Sequence, residues 1–238
     1  MRILIVNPNT TSSMTGKIAE VARSVARPDT QIIAVNPDQG PSSIEGFYDI
    51  ALSLPGLLSE VGRHRDIDAV VIACFDDTGL DAVRCAVDVP VIGIGEAAYH
   101  AASFLACKFS VITTLVRSVP GLEANLQRYG LASRCARVRA TDIPVLELER
   151  NDPDTVGRIS LEIQKAIEED HAEAIVLGCA GMADLMQRLS HEHGLPVVDG
   201  VTCAITFAEA LIASRLKTSK IGAYAMHKQA AERENLPI

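Results

Sequence analysis

Ala69-Val70-Val71-Ile72-Ala73-Cys74-Phe75-Asp76-Asp77-Thr78-Gly79 leads, through a helical segment, into Val89-Pro90-Val91-Ile92-Gly93. Further along, Ala174-Ile175-Val176-Leu177-Gly178-Cys179-Ala180-Gly181-Met182 leads in the same way into Leu195-Pro196-Val197-Val198-Asp199. Each copy has an apolar strand, a cysteine just past its end, a helix, and a second strand opened by proline. Cys74 precedes Pro90 by 16 positions and Cys179 precedes Pro196 by 17. Agreement in both order and spacing marks an internal duplication.

Working outward from these stretches, short β-rich runs alternate with longer helical patterns along the whole chain. That alternation is the signature of parallel α/β units. Strands are expected near residues 2–6, 31–35, 69–73, 91–94, 110–113, 137–140, 174–177 and 197–198. Helices are expected over 13–26, 48–62, 80–86, 97–106, 119–129, 154–170, 183–193 and 202–215, with Asp154 as the N-cap of the sixth. Val6-Asn7-Pro8-Asn9-Thr10-Thr11 ends the first strand in a polar turn, and Ile112-Thr113-Thr114 ends the fifth likewise. The chain therefore reads as two copies of a four-strand unit, the second beginning near Cys107. The stretch 207–238 has no counterpart in this reading and is expected to return to the first lobe. The expected lobes are 1–98 with 207–238, carrying Cys74, and 99–206, carrying Cys179.

Composition narrows the class of function. The 238 residues are 48% hydrophobic and 22% charged, an ordinary balance for a globular protein. Aromatics supply 4% and tryptophan is absent, so the core is built from Ala, Val, Ile and Leu, which suits helices on a parallel sheet. A formal net charge of -8 and no polybasic segment argue against a nucleic-acid surface. No apolar run reaches the ~18 residues that span a bilayer, and the opening run Ile3-Leu4-Ile5-Val6 is expected to be a strand rather than a signal peptide. A cytoplasmic location is expected.

Six cysteines are present, at 74, 85, 107, 135, 179 and 203, and a reducing compartment keeps them as thiols. No Cys-x-x-Cys pair or zinc-ligand spacing occurs, so no metal site is expected. The repeat separates two of the six from the rest. Ligands of open parallel sheets bind beyond the carboxyl ends of the strands, where Cys74 and Cys179 both fall. Two lobes with these edges facing would place the thiols on opposite sides of one cleft, the geometry of a two-base proton transfer. Helix N-termini after each cysteine are expected to lower the thiol pKa. Cys85, Cys107 and Cys203 lie in or beside helical segments and Cys135 lies in a turn, so these four read as packing or incidental residues.

Other polar residues at the same strand ends are candidates to hold a substrate. They are Asn9 after the first strand, Asp77 and Thr78 after Cys74, and Thr113 and Thr114 after the fifth strand. Helix N-capping is the alternative role for the Asn and Thr side chains. Gly181 would let backbone approach a ligand closely. Gly40-Pro41-Ser42-Ser43-Ile44-Glu45-Gly46 is a heavily punctuated loop that either covers the cleft, with Glu45 reaching inward, or is a surface turn.

The paired cysteines, together with Val6-Asn7-Pro8-Asn9-Thr10, the 40–46 loop, Gly93-Ile94-Gly95-Glu96-Ala97 and Leu177-Gly178-Cys179-Ala180-Gly181-Met182, resemble the aspartate/glutamate/hydantoin racemase superfamily. The resemblance covers nearly the whole chain. It implies two similar flavodoxin-like lobes, each a four-stranded parallel sheet flanked by helices, related by a pseudo-twofold axis with the active site between them. It also implies catalysis by Cys74 and Cys179, no cofactor, and assembly into a homo-oligomer. Amino-acid racemases of the superfamily carry Cys-Asn-Thr after the first cysteine strand. Here the sequence is Cys74-Phe75-Asp76-Asp77-Thr78, a departure that favours a cyclic amide of the hydantoin type, with allantoin as the alternative. A maleate-type isomerase and a non-catalytic two-lobed binding protein remain further readings.

Overall fold

The computed structural model describes residues 1–150 and 152–226. The first half runs β1 (Arg2–Val6), α1 (Ser12–Val25), β2 (Gln31–Val35), α2 (Phe47–Arg63), β3 (Ala69–Ile72), α3 (Leu80–Ala86), β4 (Val91–Gly93) and α4 (Ile94–Leu105). The second repeats it as β5 (Phe109–Thr113), α5 (Val119–Arg128), β6 (Cys135–Ala140), α6 (Pro153–Asp170), β7 (Ala174–Leu177), α7 (Met186–His193), β8 (Val197–Asp199) and α8 (Gly200–Ala213).

The strands form two four-stranded sheets with the orders β2-β1-β3-β4 and β6-β5-β7-β8. Every pairing is parallel, with Val6 beside Ile72 in the first sheet and Ile112 beside Leu177 in the second. Strand order reverses between β1 and β3 and again between β5 and β7. At such a reversal the following loops diverge to opposite faces and leave a crevice. Asn9 and Cys74 follow one reversal, and Thr113 and Cys179 follow the other.

Side-chain alternation along the buried strands builds a layered core. Leu4, Val6, Val70 and Ile72 face α2 and α3, while Ile3, Ile5, Ala69 and Val71 face inward. In the second sheet Ile175 and Leu177 face α6 and α7, while Ala174 and Val176 face inward. The inward faces share one apolar layer with α1, α4, α5 and α8. Helix α4 leaves the first sheet and packs on β7 and β8; α8 leaves the second and packs on β3 and β4. The two helices also pack on each other, so closely that a side chain on Gly200 would collide with the Ile94 carbonyl.

Several expectations need correction. Helix α8 follows β8 as α4 follows β4, so residues 207–213 of the stretch 207–238 do have a counterpart. Both helices run across the expected lobe boundaries, and residues 227–238 lie outside those described. The N-cap of α6 is Asp152, whose carboxylate accepts from the Thr155 N–H, because Pro153 takes the first helical position and moves the start two residues earlier. The segment 183–193 is split into a 3₁₀ stretch over Ala180–Leu185 and α7. Cys135 opens β6 instead of lying in a turn. The His193 side chain is buried against the Ser160 hydroxyl, although its helix is otherwise polar. No helix among the described residues is long and apolar enough to cross a membrane.

Candidate active site

The two crevices face each other and enclose one cavity. Lobe 1 contributes Asn9, Met14, Ile44 and the run Ala73–Asp76; lobe 2 contributes Thr113, Thr114, Ser118, Val145 and the run Gly178–Ala180. Cys74 and Cys179 both line it and lie close enough for the charge of one to act on the other. The internal volume is about 30 Å³, room for roughly two waters, and both cysteines keep partial exposure to solvent.

Both thiols have the same local support. The backbone N–H two residues beyond each cysteine, Asp76 for Cys74 and Gly181 for Cys179, donates to the sulfur. The Thr78 hydroxyl adds a donor to the Cys74 Sγ at 3.6 Å, a contact that Ala183 cannot make at the equivalent place. These donors favour thiolate, but burial outweighs them. Burial pushes the Cys179 thiol up to about 12, and it pushes Cys74 up further, with the Asp76 carboxylate adding to both. The expected lowering by helix N-termini is overturned. Helix α3 starts only at Leu80, and withdrawal from water is the larger effect.

The other sequence-derived candidates fall in different places. Asn9 lines the cavity. Its Oδ1 accepts from Asn7 Nδ2 and the Thr11 N–H at 2.9 Å, which leaves its Nδ2 facing the weakly accepting Met14 sulfur. Thr113 and Thr114 line the opposite wall, the first donating to the Gly178 carbonyl. Gly181 serves through its N–H, and a Cβ there would press on Leu148 at 3.3 Å. Glu45 reaches inward from the 40–46 loop, but to the other lobe. It accepts from the Val145 N–H and pairs with Arg117.

Asp77 faces away from the cavity. Its carboxylate accepts from the Gly95 and Glu96 N–H groups at 2.9 and 2.7 Å and from the Tyr129 hydroxyl at 2.7 Å, capping α4. Glycine is required at 93 and 95 because a Cβ at either would run into that carboxylate. Burial still holds the Asp77 carboxyl up at about 7. The carboxylate in the cavity is its neighbour Asp76, which sequence reasoning missed, together with the apolar Met14, Ile44 and Val145. Two adjacent acids in a turn carry no periodicity that says which one faces in. The Gly93-x-Gly95 pair was the available signal that something bulky approaches α4.

A family model described as Asp/Glu/Hydantoin racemase matches residues 3–208. The hydantoin racemase of Rhizobium meliloti is 50% identical over 228 residues, 94% of this chain and 94% of that protein. The hydantoin racemase of Pseudomonas sp. (strain NS671) is 46% identical over 226 residues, 94% of this chain and 91% of that protein. Among solved structures, allantoin racemase from Klebsiella pneumoniae superposes with a TM-score of 0.93 at 43% identity, covering 96% of this chain and 94% of that one. With two matched lobes closing on two thiols, the chain is an isomerase and belongs to the Asp/Glu/hydantoin racemase family.

Proposed function

We propose that this enzyme racemises 5-substituted hydantoins by a two-base mechanism carried by Cys74 and Cys179, without a cofactor. The supporting observation is the placement of the two thiols at equivalent strand ends on opposing sides of one cavity, each with a matched N–H donor. The C5–H of a hydantoin lies beside a ring carbonyl, so loss of the proton gives an enolate. One cysteine, as thiolate, takes the proton and becomes a thiol. The other, as thiol, returns a proton to the opposite face of C5 and becomes the thiolate. The next turnover of the product enantiomer runs the same transfer in reverse.

The raised thiol pKa values fit this chemistry. A thiolate held above its usual basicity is a stronger base toward a carbon acid, and its partner stays protonated as the acid. Asn9 Nδ2 and the Thr114 hydroxyl are the groups we assign to the ring carbonyl oxygens, where negative charge develops, while Thr113 shapes that wall through its bond to the Gly178 carbonyl. Thr78 and Gly181 act through the sulfurs they donate to. Glu45 and Asp77 hold the site together, across the cleft and beneath α4 respectively.

Allantoin is the second reading, favoured by the Klebsiella pneumoniae likeness. Met14, Ile44, Phe75 and Val145 in the cavity wall favour an apolar substituent over the ureido group of allantoin. Polarimetry of the purified enzyme on L-5-benzylhydantoin and on allantoin tests the assignment. Loss of optical rotation with the benzyl compound at the higher kcat/KM is expected, and faster racemisation of allantoin reverses the order. The six free thiols suit a cytoplasmic enzyme. Exposed Phe47, Tyr48 and Phe104 supply apolar surface for the homo-oligomer we assign to it.

A further inference from the structure

The five residues from Cys74 to Thr78 point in different directions, and only one presents an unused polar group to the cavity. Phe75 turns into the core and meets the Tyr99 ring edge-on, with centroids 5.3 Å apart. Asp77 caps α4, and Thr78 supports the Cys74 sulfur. Asp76 is anchored through its backbone, its carbonyl accepting from Asn125 Nδ2 at 2.9 Å and its N–H serving Cys74. Its carboxylate lines the cavity, and among the described residues it has no cation or hydrogen-bond donor as partner. A half-buried carboxylate that lines the cavity and has no partner there is open to a ligand.

The duplication sharpens the point. Asp76 occupies the place that Gly181 holds in the second copy, so the two thiols share an N–H donor while only one side carries a charge. A ring lying between two matched thiols needs an asymmetric contact to fix its orientation. We propose that Asp76 selects the substrate: its carboxylate accepts a hydrogen bond from a ring N–H of the cyclic ureide and repels molecules bearing a free carboxylate beside the reacting carbon. This rests on the hydantoin reading above and adds the residue that enforces it. A hydantoin offers N–H groups at positions 1 and 3, whereas an amino acid offers an anion where the ring has a neutral carbonyl. Near neutrality Asp76 is ionised, because burial lifts its carboxyl only to about 6.

The test compares wild type with Asp76→Asn, which keeps the shape and removes the charge. L-5-Benzylhydantoin and its 1-methyl and 3-methyl derivatives are the substrates, and N-carbamoyl-L-phenylalanine is an anionic inhibitor. In the wild type, one of the two methylated substrates is expected to lose about ten- to a hundredfold in kcat/KM, the range of a charge-assisted hydrogen bond. In Asp76→Asn the unmethylated substrate falls by a similar factor, mostly in KM, and the penalty for methylation shrinks to about threefold or less. The anionic inhibitor binds the variant more tightly, which a merely structural defect would not produce. Unchanged methylation penalties, or an inhibitor that binds no better, overturn the assignment of Asp76. Wild-type enzyme that racemises no hydantoin overturns the substrate reading itself, and this inference with it.

Discussion

Glu45 of the first lobe accepts a hydrogen bond from the backbone N–H of Val145 in the second, at 2.9 Å and 100 residues away in sequence. Its other oxygen pairs with Arg117, and both Val145 and the adjoining Ile44 form walls of the cavity. The 40–46 loop is thus fastened to the second lobe at the rim of the cleft. Glu45→Ala removes the fastening and is expected to lower kcat/KM by about tenfold, the worth of one partly buried bond. Arg117→Ala should cost less than about threefold because the Arg117 side chain is largely exposed. Steady-state racemisation kinetics of both variants check the ordering, and a larger loss for Arg117→Ala contradicts it.

Replacing either thiol of the proposed pair should stop racemisation while sparing the fold. Cys74→Ala and Cys179→Ala are each expected to reduce the rate by at least about a thousandfold, since one transfer loses its only proton carrier. Each variant is still expected to wash deuterium from solvent into one enantiomer, and the two variants should choose opposite enantiomers. Circular dichroism establishes the fold and NMR of the C5–H the exchange. Substantial racemisation by either variant refutes the two-base assignment.

Burial raises both thiols, so the ionised form becomes more populated as pH rises. The racemisation rate should therefore climb from pH 7 toward 10 rather than level off near the ordinary thiol value. Thr78→Val deletes a donor that favours the Cys74 thiolate and is expected to move this alkaline limb to still higher pH. At pH 7.5 the variant should be slower by about three- to tenfold. A pH–rate profile with an unmoved limb would remove Thr78 from the site.

Asp76 and Asp77 each have a folded-state pKa above the unfolded value of 3.8, about 6 and about 7 respectively, because of burial. The folded chain therefore holds these protons more tightly than the unfolded chain. The resulting stability is fully present below about pH 4 and is lost as pH rises through the folded values. Asp76→Asn removes one of the two ionisations. It is expected to raise the melting temperature by about 2–6 °C at pH 8 and to change nothing below pH 4. Melting curves at the two pH values decide it, and an equal shift at both would mean the charge is not the cause.

Much of this architecture was legible in the sequence, and the exceptions share a physical origin. Strands such as Ala69–Ile72 and Ala174–Leu177 are buried on both faces, so they stand out as unbroken apolar runs bounded by turns. The repeat picked Cys74 and Cys179 from six candidates because strand ends in parallel sheets have a fixed relation to the crevice. Turn residues have no such rule. Asp76 and Asp77 are chemically identical neighbours, and the backbone at Asp77 takes a left-handed φ of 52°, which swings its carboxylate to α4. Thiol basicity was misjudged for a related reason: local donors can be read from adjacent residues, whereas burial depends on what the distant lobe closes over.

The exchange of α4 and α8 between the sheets has a kinetic corollary. Each half of the chain covers the other, so the cleft is bisected by an approximate two-fold axis, and a planar intermediate meets nearly the same surroundings above and below. A racemisation has an equilibrium constant of one. By the Haldane relation the two enantiomers must then share a single value of kcat/KM, however uneven the site. The groups that break the symmetry, Asp76 and Thr78 on one side against Gly181 and Ala183 on the other, cannot favour one hand over the other in net turnover. Their influence on each enantiomer has to appear as compensating changes in kcat and KM, so an internally mirrored fold leaves its substrate ring oriented but its chirality unranked.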